Sequence, residues 1–411
     1  MFSKHTQDRL WSFVMALPIG LLAIAPPINY DIPTMVNSDA WLYRIVAAGL
    51  FGVLICWTNI HWLLKALSVY LFFNCFISQI PYLSFEAYFL IVLSLYAFWL
   101  YTKVDYEMIF NIIEAVFWLE IIILLVQQLD RDILMSMKPS EASRQLGIAT
   151  QYVESKVFYG TVFQPMRLGS LFAVMAPFLI YRRPFYILPL AILAYCSGTL
   201  GFAFALVAGL LVLFFAVVKS WKVRLGAVAA GITFGLVCTI FTSSDAFRVA
   251  ITEGRVPIGW LTLKSWVLDT TGPSGKPDFL GISQTGPVDW IRVFFGHGLD
   301  TFLPLFPIYK HDPNPFPVAH NDWFQIPWEI GAIGAGLFDA YCLVLIWRLY
   351  RAKEYLLMSG CVMYSVNMAL AFPQRMTQTM LLMIAYAALC EKKIAERKRK
   401  PLGHFSDTLQ D

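Results

Sequence analysis

The residues best suited to chemistry lie where a polar stretch meets a long apolar run. His320, Asn321 and Asp322 stand side by side at this junction, and Glu329 follows within the apolar run. A neutral imidazole accepts a proton near neutral pH, so His320 is a candidate general base or acceptor-orienting group. A carboxylate inside an apolar run is costly unless it has a partner or a function, which singles out Glu329.

Helix capping is the alternative role for the polar residues at this junction. Asp322 with Gln325 would form a capping pair for the following helix, whose first turn Pro327 is expected to disturb. Further along, Gly331 and Gly334 lack side chains and would let another segment pack closely beside the carboxylate. The residue types are compatible with capping and with catalysis to the same degree.

A bound metal is a weaker alternative for the same polar stretch. Three histidines and three nearby aspartates are available there, namely His297, His311, His320, Asp300, Asp312 and Asp322. Their spacing matches no helix-borne ligand pattern, and the motif His-Glu-x-x-His is absent. We therefore predict a site without a metal and without a cofactor.

The composition indicates a membrane protein. Of 411 residues, 58% are hydrophobic and 14% are charged, whereas a soluble domain carries about 25% charged residues. The net charge of +4 is small and its basic residues are dispersed, which excludes a nucleic-acid-binding protein. The seven cysteines lie within apolar runs, so no disulfide framework is expected in the loops.

Apolar runs long enough to cross about 30 Å of hydrocarbon as helices recur along the chain. About twelve are predicted, at 10–27, 41–59, 61–80, 84–101, 108–127, 161–181, 184–198, 200–219, 222–242, 323–349, 354–372 and 375–391. The expected fold is all-α and polytopic, with a large extracytoplasmic loop before the third-last helix.

The distribution of lysine and arginine predicts the orientation. Basic residues gather in alternate short loops and at both ends, which would be cytoplasmic under the positive-inside rule. The predicted regions are N-terminal transmembrane helices (1–130), an extracytoplasmic loop (131–160), central transmembrane helices (161–242), a large extracytoplasmic catalytic loop (243–322), C-terminal transmembrane helices (323–391) and a basic cytoplasmic tail (392–411).

Four short stretches, in this order, carry a resemblance to a known family. They are Gly160-Thr161-Val162-Phe163-Gln164-Pro165, then Arg255 with Trp260 and Lys264, then Gly296-His297-Gly298-Leu299-Asp300-x-Phe302, then His320-Asn321 with Glu329-x-Gly331-x-x-Gly334. Together with the spans and the large loop, they resemble the O-antigen ligase/polymerase superfamily, whose polytopic enzymes transfer glycans from polyprenyl-pyrophosphate carriers. The resemblance covers residues 158–345.

This resemblance implies a function at the outer face of a bacterial inner membrane, with periplasmic loops and no cofactor. The donor would be a glycan on polyprenyl pyrophosphate, and the acceptor would be a lipid A core or a second lipid-linked glycan. His320 would orient or deprotonate the acceptor hydroxyl, and Glu329 would complete the catalytic centre by positioning the His320 segment. Asn321, Asp322, Asp300 and Trp260 would contact the acceptor or the sugars.

The pyrophosphate-binding residue departs from the family pattern. The family often has an arginine near the place of Leu200, but no basic residue stands there in this chain. A diphosphate still needs cations, and guanidinium groups bind its oxygens in a forked, charge-assisted way. Arg255 is the first candidate, followed by Arg375 and Arg167.

The resemblance leaves the acceptor open, so a ligase and a polymerase are equally compatible with it. The competing class is a transporter or flippase of lipid-linked sugars, which would carry charged or helix-breaking residues in mid-span in both halves. The first five spans carry few such residues, Glu114 and Glu120 being the clearest. A non-catalytic assembly factor is the third possibility.

Overall fold

The structure is a computed structural model. It describes residues 49, 52, 55–56, 58–128, 165–196, 199–218, 220, 255–268, 286–310, 321–370 and 377–399. The predicted spans at 10–27 and 222–242, and most of the span at 41–59, lie outside these residues.

The described residues are helical, and no β-strand forms among them apart from an isolated bridge between Leu268 and Val288. The α-helices are α1 (Trp62–Ile77), α2 (Pro81–Tyr101), α3 (Tyr106–Gln128), α4 (Pro165–Arg182), α5 (Ile187–Cys196), α6 (Leu200–Val217), α7 (Arg255–Val267), α8 (Trp290–Phe295), α9 (Phe302–Lys310), α10 (Asp322–Arg351), α11 (Tyr355–Leu370) and α12 (Thr377–Arg399), with a 3₁₀ turn at Pro184–Tyr186.

Several of these helices are able to span a membrane. Three are both long and apolar enough, at Pro81–Tyr101, Tyr106–Gln127 and Asp322–Arg351. Shorter apolar helices occur at Trp62–Ile77, Leu168–Arg182, Pro184–Ala194, Gly201–Ala216 and Tyr355–Leu370. Every predicted apolar run from 61–80 onwards that falls on described residues has a helix at its place.

Helix α4 is the centre of the bundle. All its side chains from Leu168 to Ile180 are buried, and it contacts α3, α6, α11 and α12. A helix that is apolar on every side has no face suited to water, so it occupies the core. The hydroxyl of Tyr364 on α11 donates to the carbonyl oxygen of Val174 in α4 at 2.8 Å.

Helices α6 and α11 pack closely because α6 presents small residues at every fourth position. Gly201, Ala205 and Gly209 are all buried on one face of α6. A methyl group added at Gly209 would overlap the side chain of Met363 on α11, which shows how near the two backbones lie. Small residues at this spacing let membrane helices approach and gain van der Waals contact.

The basic residues assigned to inner loops share one end of the bundle, which we call the basic end. Arg182 forms ion pairs with Glu107 and Glu114, which lie in the first half of α3. At the same end Arg348 pairs with Glu391, Arg397 pairs with Glu354, and Lys392 donates to the carbonyl oxygen of Val104. Each of these sequence-distant contacts involves a basic residue in, or directly beside, a segment predicted to be cytoplasmic.

Part of the predicted catalytic loop is helical. Helices α7, α8 and α9 lie between residues 255 and 310, where the sequence showed no clear periodicity. Helices α7 and α8 both contact α10, and α9 packs beside α7. The described portion of this loop is therefore folded onto the helical bundle.

Candidate functional site

Helix α10 is broken at Gly331, whose φ of 67° and ψ of 177° are not helical. The sequence predicted a disturbance at Pro327, but the helix continues through that proline and breaks one turn later. The backbone of α8 fills the break, since a methyl group added at Gly331 would overlap the carbonyl group of Phe294. Glycine is favoured at this position for two reasons: φ is near +67°, and another stretch of backbone occupies the space that a side chain would need.

The carbonyl oxygens next to the break in α10 accept hydrogen bonds from residues elsewhere in the chain. The amide of His297 donates to the carbonyl oxygen of Trp328 at 2.9 Å, and the amide of Gly298 donates to that of Glu329 at 2.8 Å. The hydroxyl of Tyr70 on α1 donates to the carbonyl oxygen of Ile330 at 2.7 Å. These donors satisfy carbonyls that would otherwise be left unpaired at a helix break, and each unpaired carbonyl is costly.

The carboxylate of Glu329 lies beneath the break and is 3% exposed. Its Oε1 accepts from the side-chain amide of Gln325 at 3.0 Å, and its Oε2 accepts from the backbone amide of Asp300 at 3.2 Å. The carboxylate thus fastens the turn at 296–300 to α10. Asp300 itself has a φ of 56°, and its side chain is exposed beside this contact.

His297 was not selected from the sequence, yet it is central to this arrangement. Its ring is 1% exposed and stacks on Trp328 with 4.1 Å between ring centroids. Nε2 lies 3.2 Å from the carbonyl oxygen of Ser265, and Nδ1 lies 3.0 Å from Oε1 of Gln79 in the α1–α2 turn. One imidazole therefore joins α7, α10 and the α1–α2 turn.

We call this assembly the kink clasp. It comprises Gln79, Ser265, His297, Gly298, Asp300, Gln325, Trp328, Glu329 and Gly331. Its polar groups are satisfied mainly by one another and by backbone, which makes it a rigid support. The flanking glycines Gly296 and Gly298 were a signal in the sequence, but the contact to Gln79 joins residues far apart and no local pattern indicates it.

The start of α10 is capped differently from the prediction. Asn321 is the N-cap residue, and its side chain accepts from the amide of Phe324 at 3.3 Å. Asp322 lies inside the first turn and is 1% exposed, where its negative charge favours the helix N-terminus. Gln325 turns to Glu329 and takes no part in the cap. The predicted Asp322–Gln325 capping pair is therefore wrong.

Helix α7 lies along the first turns of α10. A methyl group added at Gly259 would come within 3.0 Å of the Phe324 ring, and Trp328 donates to the hydroxyl of Ser265 at 3.0 Å. Arg255 occupies the first position of α7, four residues before Gly259. His320 stands four residues before Phe324 in the sequence and lies outside the described residues.

The structure describes only part of the other predicted binding residues. Arg255, Trp260 and Arg167 are placed as helical backbone, with no description of their side chains, and Arg375 lies outside the described residues. Arg167 falls in the first turn of α4, two residues before Gly169. A methyl group added at Gly169 would overlap the side chain of Thr199, the residue before Leu200. The backbone of Arg167 is thus near the start of α6.

A metal centre has no support among the described residues, which contain no group of three or more histidine, cysteine, aspartate or glutamate side chains suited to a metal ion. His311 and His320 fall outside that part of the chain. Comparison with models of known protein families finds no match to this chain, and no curated protein matches it either.

Proposed function

We propose that this chain is a membrane glycosyltransferase that moves a glycan from a polyprenyl-pyrophosphate carrier to an acceptor at the outer, periplasmic face of the membrane. The acceptor is a lipid A core in a ligase, or a second lipid-linked glycan in a polymerase. The proposal rests on the order of the four sequence motifs. Its structural support is the contact of α7 with the first turns of α10.

That contact carries the proposal because it concerns both predicted functional segments. Gly259 of α7 lies against the ring of Phe324 on α10. Arg255 stands four residues before Gly259 in the sequence, and His320 stands four residues before Phe324. Arg255 lies about one helical turn, or 6 Å along α7, from Gly259. A cation for the pyrophosphate and a base for the acceptor hydroxyl need to lie on two sides of one sugar, and we propose that Arg255 and His320 take these two places.

The proposed reaction needs no oxidant and no nucleotide. The acceptor oxygen attacks the anomeric carbon of the donor sugar while His320 takes the hydroxyl proton. The bond between that carbon and the phosphate oxygen breaks, and the carrier pyrophosphate leaves with the bonding electrons. Arg255 stabilises the negative charge that develops on the leaving group. Glu329 acts by holding the kink clasp and takes no proton.

The membrane arrangement we propose has about twelve spans, both termini in the cytoplasm and the kink clasp toward the periplasm of a bacterial inner membrane. Its support is the basic end, since clusters of lysine and arginine in short loops favour the cytoplasmic side. The kink clasp lies at the other end of α10 from Arg348 and Arg351. The predicted pyrophosphate and acceptor residues then share the outer side.

The test is transfer by the purified protein in detergent, with a chelator and without nucleotide. A polyprenyl-pyrophosphate glycan is offered together with either a lipid A core or a second lipid-linked repeat. His320→Ala and Arg255→Ala are compared with wild type, and His311→Ala and Lys276→Ala serve as matched controls from the same loop. We expect product on one acceptor, a loss of about a hundredfold or more in the first two variants, and little change in the controls.

Each result assigns the chain to a class. Product on the lipid A core identifies a ligase, and product on the lipid-linked repeat identifies a polymerase. No product on either acceptor, from folded protein that binds the donor, would refute the proposal. ATP-independent movement of the donor across vesicles would then favour the flippase alternative, and activity retained in His320→Ala would exclude the assigned base.

A further inference from the structure

Helix α8 exposes its apolar side chains and turns its charged side chain inward, the reverse of what a helix in a water-facing loop does. Trp290, Ile291 and Phe294 are 63%, 57% and 46% exposed. Its one charged residue, Arg292, turns toward the protein and donates to the carbonyl oxygens of Ile77 and Gly296. A helix in water would bury its aromatic face and expose its arginine.

The exposed face of α8 continues the outward apolar surface of the neighbouring helix α1. Arg292 reaches the last residue of α1, Ile77, which is 40% exposed. Phe73 and Phe76 of α1 are 61% and 58% exposed. On α10, Ile333 follows the break directly and is 40% exposed. One outward apolar surface therefore runs from the apolar helices α1 and α10 onto α8.

The depth of α8 follows from the length of α10. Arg348 and Arg351 lie at the basic end of this helix, where the positive-inside rule puts the inner boundary of the hydrocarbon. Gly331 stands 17 and 20 residues before them, which at 1.5 Å per residue is about 26 and 30 Å. The hydrocarbon core of a bilayer is about 30 Å thick. Gly331 and the α8 backbone packed on it lie at, or just inside, the outer boundary.

Backbone carbonyl groups of α8 and of the turn that follows it are hydrogen-bonded within the protein. Asn74 donates its side-chain amide to the carbonyl oxygen of Phe295, and the hydroxyl oxygen of Tyr70 lies 3.3 Å from the carbonyl oxygen of Phe294. The carbonyl oxygen of His297 accepts from the amide of Gln79 at 2.9 Å. Irregular backbone at membrane depth is tolerated only where the protein itself satisfies its polar groups.

We propose that the segment 288–298 is a re-entrant element that dips into the outer leaflet, with lipid acyl chains covering the face formed by Val288, Trp290, Ile291 and Phe294. This assignment changes the region predicted as the loop 243–322, because its middle would sit in the membrane. It also puts the kink clasp at the level where a lipid-linked molecule would present its headgroup. The proposal depends on membrane insertion and does not depend on the transferase activity.

The first test uses the wild-type chain in vesicles of phosphatidylcholine and phosphatidylglycerol. A diazirine that partitions into the acyl region is photolysed, and the adducts are located by peptide mass spectrometry. We expect adducts on residues 288–294 at a level within about threefold of those on Leu343 and Trp347, which face outward in mid-helix and near the basic end. Labelling at 288–294 no higher than at residues 300–304, with strong labelling of Leu343, would overturn the proposal.

A second test measures depth directly. Spin labels are attached at Ile291→Cys and at Asp300→Cys in a variant without native cysteines, and collision with oxygen is compared with collision with a water-soluble nickel complex. We expect the ratio of oxygen to nickel collisions to be about tenfold higher at position 291 than at position 300. Equal ratios, both resembling those of a label in the loop at Lys353, would place α8 in water and refute the assignment.

Discussion

Replacing Glu329 by glutamine distinguishes a positioning carboxylate from a proton-transferring one. In the kink clasp, Oε1 accepts from Gln325 and Oε2 accepts from the amide of Asp300. A glutamine at position 329 keeps the shape and one acceptor, and Gln325 turns its own amide to pair with the new NH₂ group. Both contacts then survive without the negative charge.

The expected cost follows from the change in bond type. A hydrogen bond to a charged group contributes about 1.5–3 kcal/mol and a neutral one about 0.5–1.5 kcal/mol, a difference of about 1–1.5 kcal/mol for each of the two contacts, so Glu329→Gln should lose about 2–3 kcal/mol of stability. Glu329→Ala removes both acceptors and leaves two donors unpaired, at about 1–3 kcal/mol each. The alanine variant should therefore lose about 2–6 kcal/mol, a large part of the 5–15 kcal/mol that stabilises a typical domain.

The assay combines thermal unfolding in detergent with initial rates of glycan transfer. Because Glu329 is assigned to positioning, Glu329→Gln should keep transfer within about tenfold of wild type, the factor that 1.4 kcal/mol represents. Loss of a proton-transferring group costs about 10²–10⁴-fold in rate. Glu120→Gln, a buried carboxylate on α3, controls for the general effect of removing a charge.

One result would refute this reasoning outright. If Glu329→Gln unfolds at the wild-type temperature yet loses transfer by more than about a hundredfold, the carboxylate acts in the chemistry and the positioning role is wrong. A glutamine variant as unstable as the alanine variant would show instead that the charge itself holds the turn. The unfolding measurement stands even if the chain transfers no glycan, so failure of the proposed function leaves the structural prediction testable.

Two further predictions concern the fold. Gly331→Ala should be destabilised by about 3 kcal/mol or more, because φ is +67° and the added methyl overlaps α8; a melting temperature equal to wild type would exclude the break. Gly209→Leu should lower the melting temperature by overlap with α11, whereas the outward-facing Val207→Leu should not.

The helices were predictable because each apolar run must satisfy its own backbone. A run of about 20 apolar residues has one stable state in hydrocarbon, a helix, so hydropathy alone located α1–α6 and α10–α12 to within a few residues at most ends. The run at 184–198 is the shortest of the predicted spans, and its helix is correspondingly brief, from Ile187 to Cys196. The number of spans that cross the membrane stays a prediction.

The kink clasp was predictable only in its ingredients. The sequence singled out Glu329, Gly331 and Gly334 as a costly carboxylate beside two sites of close approach, and Tyr70 does pack against Gly334. The break itself depends on α8, a helix of six residues that no periodicity indicates. The choice of Asn321 over Asp322 as the cap was not decidable locally, because both side chains are good acceptors.

His297 shows why long-range contacts escape a local pattern. A histidine between two glycines in a polar stretch looks like a surface residue, and nothing nearby in the sequence signals its burial. Its environment is made by Gln79, Ser265 and Trp328, which come from three separate parts of the chain. The sequence therefore identified the turn as a feature, but not the long-range contacts that bury His297.

The kink clasp explains how a site at the end of α10 would be held at the membrane depth proposed for α8. A carboxylate and a broken helix are each costly at such a depth. Here the turn at 296–300 donates both to Oε2 of Glu329 and to the carbonyl oxygens of Trp328 and Glu329 at the break, while Gln325 donates to Oε1. Because Gln79 and Tyr70 belong to the first described helices and their following turn, the site cannot form until those helices have packed on α10. The chemistry proposed for His320 and Arg255 would then depend on residues more than 170 positions away, through contacts that only the assembled bundle provides.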